Sequence, residues 1–233
     1  MKIYAISDLH LSGEEVTKPM EIFDSYAPGY IEETKKNWDA AVEEDDVILV
    51  SGDISWAVRL KDAQQDLDFI GKLKGIKVLV RGNHDYWWKS ISAVRAVLHE
   101  GTYALQNDSI RFGNAVICGS RGWTVPEPSV ETSAEDARIY NREVERLGLS
   151  LKSAKAKRQD GDILICMTHF PPFNSKFDDN GFAVLFSEYK VDKVVYGHLH
   201  GQHIKTPLYY EKDGIEYYLT SCDKVNNTPV RIL

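Results

Sequence analysis

Five short apolar runs, each rich in β-branched residues and each closing on a polar cluster, punctuate the chain. They are residues 2–7 (KIYAIS), 47–51 (VILVS), 76–81 (IKVLVR), 163–168 (ILICMT) and 193–196 (KVVY). None alternates cleanly between apolar and polar positions. Such runs predict strands buried on both faces, as in a parallel sheet covered by helices. Helical patterns separate them at residues 32–43, 60–73 and 89–99. In the second, Leu60, Ala63, Leu67, Ile70 and Leu73 follow the 3.6-residue period.

A different texture spans residues 102–119, where TYALQN, IRFG and AVICG read as short strands. They are joined by turn residues at Asn107-Asp108 and Gly113-Asn114. A long helix is expected next, capped by Thr132 or Ser133, with Glu135 and Asp136 in its first turn. Its buried stripe would be Tyr140, Val144, Leu147, Leu151 and Ala154. Near the end, PLYYEKDGIEYYLTS predicts a hairpin turning at Asp213-Gly214. Alternating strands and helices indicate an α/β protein, and without repeats, linkers or low complexity it reads as one domain over residues 1–233.

Composition narrows the class. With 233 residues, 43% hydrophobic and 27% charged, the chain matches an ordinary globular protein. A net charge of −7 argues against a nucleic-acid surface and against adhesion to anionic lipid. It does not exclude an anionic substrate, because bound cations can dominate the field of a site. Cys118, Cys166 and Cys222 are far apart and odd in number, the pattern of small buried residues in a reducing compartment. The sequence opens directly into a short apolar run, and no apolar stretch reaches membrane-spanning length. The expectation is a soluble cytoplasmic protein with no membrane partner.

Chemistry concentrates where the apolar runs stop. The first is followed by Asp8 and His10, the second by Gly52-Asp53, and the third by Gly82-Asn83-His84-Asp85. The fourth leads to His169 and the fifth to Gly197-His198-Leu199-His200. Ligands in an open α/β sheet bind at the carboxyl ends of the strands, so five ends would deliver these groups to one place. Asp8 and His10, like His198 and His200, are two apart and on extended backbone would project to the same side. A lone aspartate after a strand is usually a turn or cap, and a lone histidine usually structural; His99 and His203 fit that account. Five of the seven histidines, however, fall in these clusters. Mixed carboxylate, amide and imidazole donors suit Mn, Fe or Zn.

The ordered set D-x-H (8–10), G-D (52–53), G-N-H-D (82–85), H (169) and G-H-x-H (197–200) resembles the calcineurin-like metallophosphoesterases, especially the small bacterial members. The resemblance implies a four-layer α/β/β/α sandwich with two mixed β-sheets. It assigns Asp8, His10, Asp53 and His200 to one divalent cation, and Asn83, His169 and His198 to a second, with Asp53 shared. Manganese is the first choice, iron or zinc the next. His84 matches a histidine that contacts the scissile phosphate without binding metal, and Asp85 would orient it. In the mechanism this implies, a hydroxide bridging the cations attacks phosphorus and His84 protonates the leaving oxygen.

Departures narrow the resemblance. Trp56 stands where purple acid phosphatases have a metal-binding tyrosine, and His84 where lipid A pathway pyrophosphatases have arginine. The extra domains of DNA-repair nucleases have no room in 233 residues. The substrate expected is a small phosphate ester, with nucleotides among the candidates, and diesters are favoured over monoesters. A metal-binding protein scaffold is the alternative from another class; it would be expected to lose His84 or a ligand, and none is missing. A mononuclear metal sensor is a third. Residues 11–30, 56–59 and 120–130 are expected to border the crevice. Arg59 and Arg121 are candidate phosphate clamps, each equally readable as a surface ion pair or loop anchor. Tyr86, Trp87 and Trp88 read as a helix start packed on the core rather than a base-stacking platform.

Overall fold

The five apolar runs form strands in which nearly every residue is buried, the outcome expected of a sheet covered on both faces. The computed structural model describes residues 1–13, 20 and 26–233. Along the chain lie β1 (Ile3–Ile6), α1 (Tyr30–Ala41), β2 (Val47–Val50), α2 (Leu60–Gly71), β3 (Ile76–Leu79) and α3 (Ile91–Arg95). Then come β4 (Thr102–Ala104), β5 (Ser109–Phe112), β6 (Ala115–Ser120), α4 (Ala134–Lys157), β7 (Ile163–Thr168) and α5 (Gly181–Tyr189). The remainder is β8 (Lys193–Tyr196), β9 (Tyr209–Lys212), β10 (Ile215–Leu219) and β11 (Val230–Arg231).

Two mixed sheets result. One has the order β11-β1-β2-β3-β4, parallel except for β11. The other runs β5-β6-β7-β8-β10-β9, with a parallel centre and antiparallel edges. Side chains alternate across each strand. Ile3, Ala5, Val47, Leu49 and Val78 therefore face Ala115, Ile117, Ile165, Met167 and Val195 in a core between the sheets. The opposite residues, such as Ile6, Ile48 and Leu79, pack with Trp38 of α1 and Leu67 and Ile70 of α2. Val116, Cys118, Leu164 and Val194 likewise pack with Leu147 and Leu151 of α4 and Phe182 and Phe186 of α5. Three apolar layers between four structural ones make the α/β/β/α sandwich.

Local signals explain the elements. Ser133 caps α4, its hydroxyl accepting from the Asp136 N–H at 3.0 Å. The expected hairpin turn has Asp213 and Gly214 at φ 53° and 75°, the geometry of a tight two-residue loop. Helix α3 is shorter than the 89–99 pattern suggested. It begins only after Ser90, so Tyr86, Trp87 and Trp88 form a turn ahead of it rather than its start; both tryptophans are buried, while Tyr86 is exposed. Helix α5 and strand β11 have no counterpart among the sequence expectations. The run FAVLFSEY lacks an amphipathic period, yet Asn180 caps it through its side-chain oxygen. All three cysteines are free and buried. Among the described residues, no helix is long and apolar enough to cross a membrane.

Candidate metal centre

Parallel strands place their carboxyl ends on one edge, and the loops leaving β1, β2, β3, β7 and β8 meet there. They are laced together by backbone bonds: Asp8 N–H to Gly52 O at 3.0 Å, His10 N–H to Asp53 O at 3.0 Å, and Gly197 N–H to the carbonyl of His169 at 3.1 Å. Close approach requires glycine at two of these turns. A Cβ on Gly82 would overlap the backbone nitrogen and carboxylate of Asp53, and one on Gly197 would overlap Ser7 and the Asp8 carboxylate.

The backbone of the site corrects one expectation. Asp8, His10, Asp53 and His198 are not extended; their φ angles are 58°, 47°, 50° and 70°, in the left-handed region that disfavours side chains with a Cβ. Their side chains converge because the chain turns at each one, not because they alternate along a strand. Non-glycine residues persist there only when surroundings hold them. The carbonyl of Asp8 accepts from the Tyr26 hydroxyl (3.1 Å) and the Cys222 thiol (3.1 Å), and that of Leu9 accepts from Tyr30 (3.0 Å).

All seven metal-competent residues singled out in the sequence lie in one cluster. Ligand atoms of Asp8, His10 and His200 fall within 4.8 Å of one another, as do those of Asp8, Asp53 and His169. Asn83 Oδ1 lies 2.7 Å from His169 Nε2 and 2.9 Å from His198 Nδ1. The other oxygen-rich partner, Asp8, accepts from the Ser7 hydroxyl and from the His198 N–H. Asp53 is held by the backbone N–H of His84, which donates to Oδ1 at 2.8 Å. Its Oδ2 makes no hydrogen bond, yet imidazole Nε2 atoms of His169, His10 and His84 stand 3.4, 3.7 and 4.0 Å away.

The electrostatics are those of a crowded, largely buried site. Burial pushes Asp8 up, whereas Asp53 is held below the usual carboxylate range because His169 and His10 outweigh its burial. Burial opposes charge on His169, but Asp53 and Asp8 win and push it up to about 9. Burial takes His10 and His198 the other way, down to about 3.

The residues fit a cation. Both ring nitrogens of buried His10 and the buried Asp53 Oδ2 lack hydrogen bonds, an arrangement that costs several kcal/mol unless something outside the chain binds them. Carboxylate, amide and imidazole donors together match Mn, Fe or Zn.

Other predicted residues fall as follows. His84 is about one-third exposed beside the cluster, its ring 4.4 Å from that of Trp56, which also stacks on His10 at 4.8 Å. Asp85 is fully buried; Oδ1 accepts from Ile54 N, Ser55 N and Trp87 Nε1, and Oδ2 from Gly82 N. Burial and then the charge of Asp53 push it up to about 6. Arg59 is exposed and paired with Asp62 one turn on. Arg121 pairs with Glu143 and lies over the Trp123 ring, 4.7 Å from its centroid. His99 contacts Asp68 at 2.9 Å, a structural pairing. Of the 11–30 segment, residues 14–19 and 21–25 lie outside the described residues.

Sequence reasoning passed over Tyr26, Tyr30 and Cys222, which have no metal-ligand signature. It also missed a cavity of about 490 Å³ bounded by Phe170, Phe173, Phe177, His198, Lys205 and Tyr210.

The calcineurin-like phosphoesterase family matches residues 1–202. The chain belongs to that family. It is therefore a metal-dependent hydrolase of phosphoric ester bonds. Among solved structures it is similar to a phosphopantetheinyl hydrolase from Mycobacterium tuberculosis, with a TM-score of 0.59 and 15% identity over 100% of this chain and 95% of that one. A protein of unknown function from Aquifex aeolicus gives a TM-score of 0.50 and 15% identity, covering 99% and 95%. At such identities the likeness is one of fold. No curated protein sequence matches the chain.

Proposed function

We propose that the protein hydrolyses small phosphodiesters at a two-metal centre. The observation that carries this reading is Asp53 Oδ2: buried, without a hydrogen bond, and surrounded by three imidazoles. Asp8, His10, Asp53 and His200 would hold one cation, Asn83, His169 and His198 the other, with Asp53 shared. Two divalent cations there would clamp phosphate oxygens and lower the pKa of a coordinated water toward about 7. Manganese is the metal we would supply first.

The chain's own groups do the rest. The His84 backbone N–H fixes Asp53 Oδ1 and so aims Oδ2 into the cluster. The His84 imidazole, wedged against Trp56 at the accessible side, is placed to protonate the departing alkoxide, a contribution of roughly 10²–10⁴-fold. Asp85 acts on it through the loop, since its oxygens pin residues 54–55 to residues 82–87. Arg59, exposed and held by Asp62, is assigned no part in binding; Arg121 is. A diester is favoured because the cavity beside His198 offers a place for a second ester substituent, which a monoester lacks. Phe170 joins the two regions, its ring 4.3 Å from that of His198.

The test is hydrolysis of bis-p-nitrophenyl phosphate beside p-nitrophenyl phosphate, using metal-stripped protein refilled with Mn²⁺. Turnover that requires metal, disappears in Asp53→Ala and runs faster on the diester supports the proposal. Faster monoester turnover would replace diesters by monoesters. No turnover with two metals bound would favour the scaffold alternative, and failure to bind a second metal would refute the two-metal centre.

A further inference from the structure

A second concentration of charge lies beside the metal centre and has the opposite sign to the protein. The chain carries a net −7, yet Arg81, Lys89, Arg121 and Arg146 line one small cavity of about 100 Å³ together with a single carboxylate, Glu143. Glu143 is 1% exposed, and its Oε1 meets Arg146 Nη1 at 2.7 Å and Arg121 Nη2 at 3.4 Å, with Arg142 Nε at 3.8 Å. Among the described residues, Arg81 and Lys89 have no ion-pair partner. The buried Nε atoms of Arg81 and Arg121 make no hydrogen bond. Burial, only partly offset by Glu143, and repulsion from Arg81, Arg142 and Arg146 lower the pKa of Arg121. Four cations share this small cavity with one carboxylate, and two of their buried guanidinium N–H groups lack an acceptor, a combination that calls for an anion of fork-matching geometry.

The place matters as much as the charge. Arg81 is two residues before Asn83, and the Arg121 carbonyl accepts the N–H groups of His169 and Phe170 at 3.0 Å. The cavity therefore backs directly on two loops that carry the proposed metal ligands. We propose that this cavity is a phosphate subsite distinct from the metal centre, holding either a second phosphate group of the substrate or free inorganic phosphate. Glu143 keeps the guanidinium groups gathered and spaced, and the cations in excess of it bind the phosphate oxygens. The source of the phosphate rests on the phosphoesterase proposal above; binding itself does not, and can be read without turnover.

The experiment is calorimetric titration of inorganic phosphate into metal-stripped protein at constant ionic strength, with chloride as control. Wild type, Arg146→Gln and Arg146→Lys are compared, and urea midpoints check that the variants fold. The expected result is binding by wild type, weakened about ten- to a hundred-fold in Arg146→Gln and partly restored in Arg146→Lys. No binding by wild type, or equal affinity in folded Arg146→Gln, would overturn the proposal. Steady-state kinetics then separate the two sources. If the phosphate belongs to the substrate, Arg146→Gln raises KM for a p-nitrophenyl diester bearing a second phosphate more than for bis-p-nitrophenyl phosphate. If it is free, the two KM values keep their ratio while the calorimetric loss remains.

Discussion

Replacing Asp85 by asparagine exchanges one oxygen for an NH₂ group at a point where the structure leaves no room for a donor. In the native protein Oδ1 accepts three N–H bonds, at 2.9 Å from Ile54, 3.1 Å from Ser55 and 3.1 Å from the Trp87 indole, and Oδ2 accepts one at 2.7 Å from Gly82. Asparagine keeps its carbonyl toward the three donors, because the opposite orientation would set an NH₂ against all of them. Its NH₂ then faces the Gly82 N–H, and that buried donor loses its acceptor, at a cost of about 1–3 kcal/mol. The three remaining bonds also lose charge assistance, against which the relief of burying a neutral group must be set. The net destabilisation is about 2–4 kcal/mol, a fall in thermal midpoint of roughly 4–16 °C for a chain of this size. Asp85→Ala orphans all four donors and costs more, on the order of 5 kcal/mol. Urea unfolding of metal-stripped protein, followed by tryptophan fluorescence, measures both. The same variants test the site: loosening the loops that carry Asp53 and Asn83 should weaken Mn²⁺ binding roughly 10–100-fold. If Asp85→Asn unfolds at the wild-type urea midpoint with an unchanged slope, the account of Asp85 as the clamp between these loops is wrong.

Metal itself should stabilise the fold: at a free concentration one hundred times Kd, about 2.7 kcal/mol, or roughly 5–11 °C in thermal midpoint. Asp53→Ala should lose most of that shift, and a full shift in the variant would remove Asp53 from the ligand set. The metal-stripped protein should be most stable near pH 6.5, the ordinary histidine value. Below it the unfolded chain protonates His10 and His198 while the fold, holding them near 3, does not, so stability falls as pH drops. Below about 6 the raised carboxyls of Asp85 and Asp8, which the fold protonates first, offset part of that loss and make the acid side the shallower one. Above it the fold keeps the His169 proton, with its pKa near 9, and the stabilisation this brings is lost as pH rises from 6.5 to 9. A thermal midpoint that is level across both windows would contradict these assignments, and His169→Gln should flatten the alkaline side. Gly82→Ala drives a Cβ into Asp53 and should cost about 1–3 kcal/mol in urea unfolding with weaker metal binding, whereas a neutral result would mean the two loops can part.

Much of this protein is legible in its sequence. Non-alternating apolar runs specify strands buried on both faces, because burial is decided residue by residue along four to six positions. Ser133 and the Asp213-Gly214 turn are equally local, each acting on backbone within three residues. The groups gathered at the candidate metal centre were readable too, for a topological reason: parallel strands bring their carboxyl ends together, so chemistry written at those ends converges whatever the details of packing. What one segment could not show is how the convergence is made. Asp8, His10, Asp53 and His198 adopt left-handed backbone that local preference disfavours, and the turn at Asp8–His10 is held by Tyr26, Tyr30 and Cys222, the last lying more than two hundred residues away from it. Asp85 looked like a partner for its neighbour His84, but its bonds span to the loop of Asp53. The cationic cavity is the extreme case. Arg81, Arg121 and Arg146 belong to a β3 end, a β6 end and the middle of α4, with nothing in their spacing to join them. Period and turn chemistry act over a few residues, whereas charge and packing act through space, and only the assembled sandwich decides which distant groups share it.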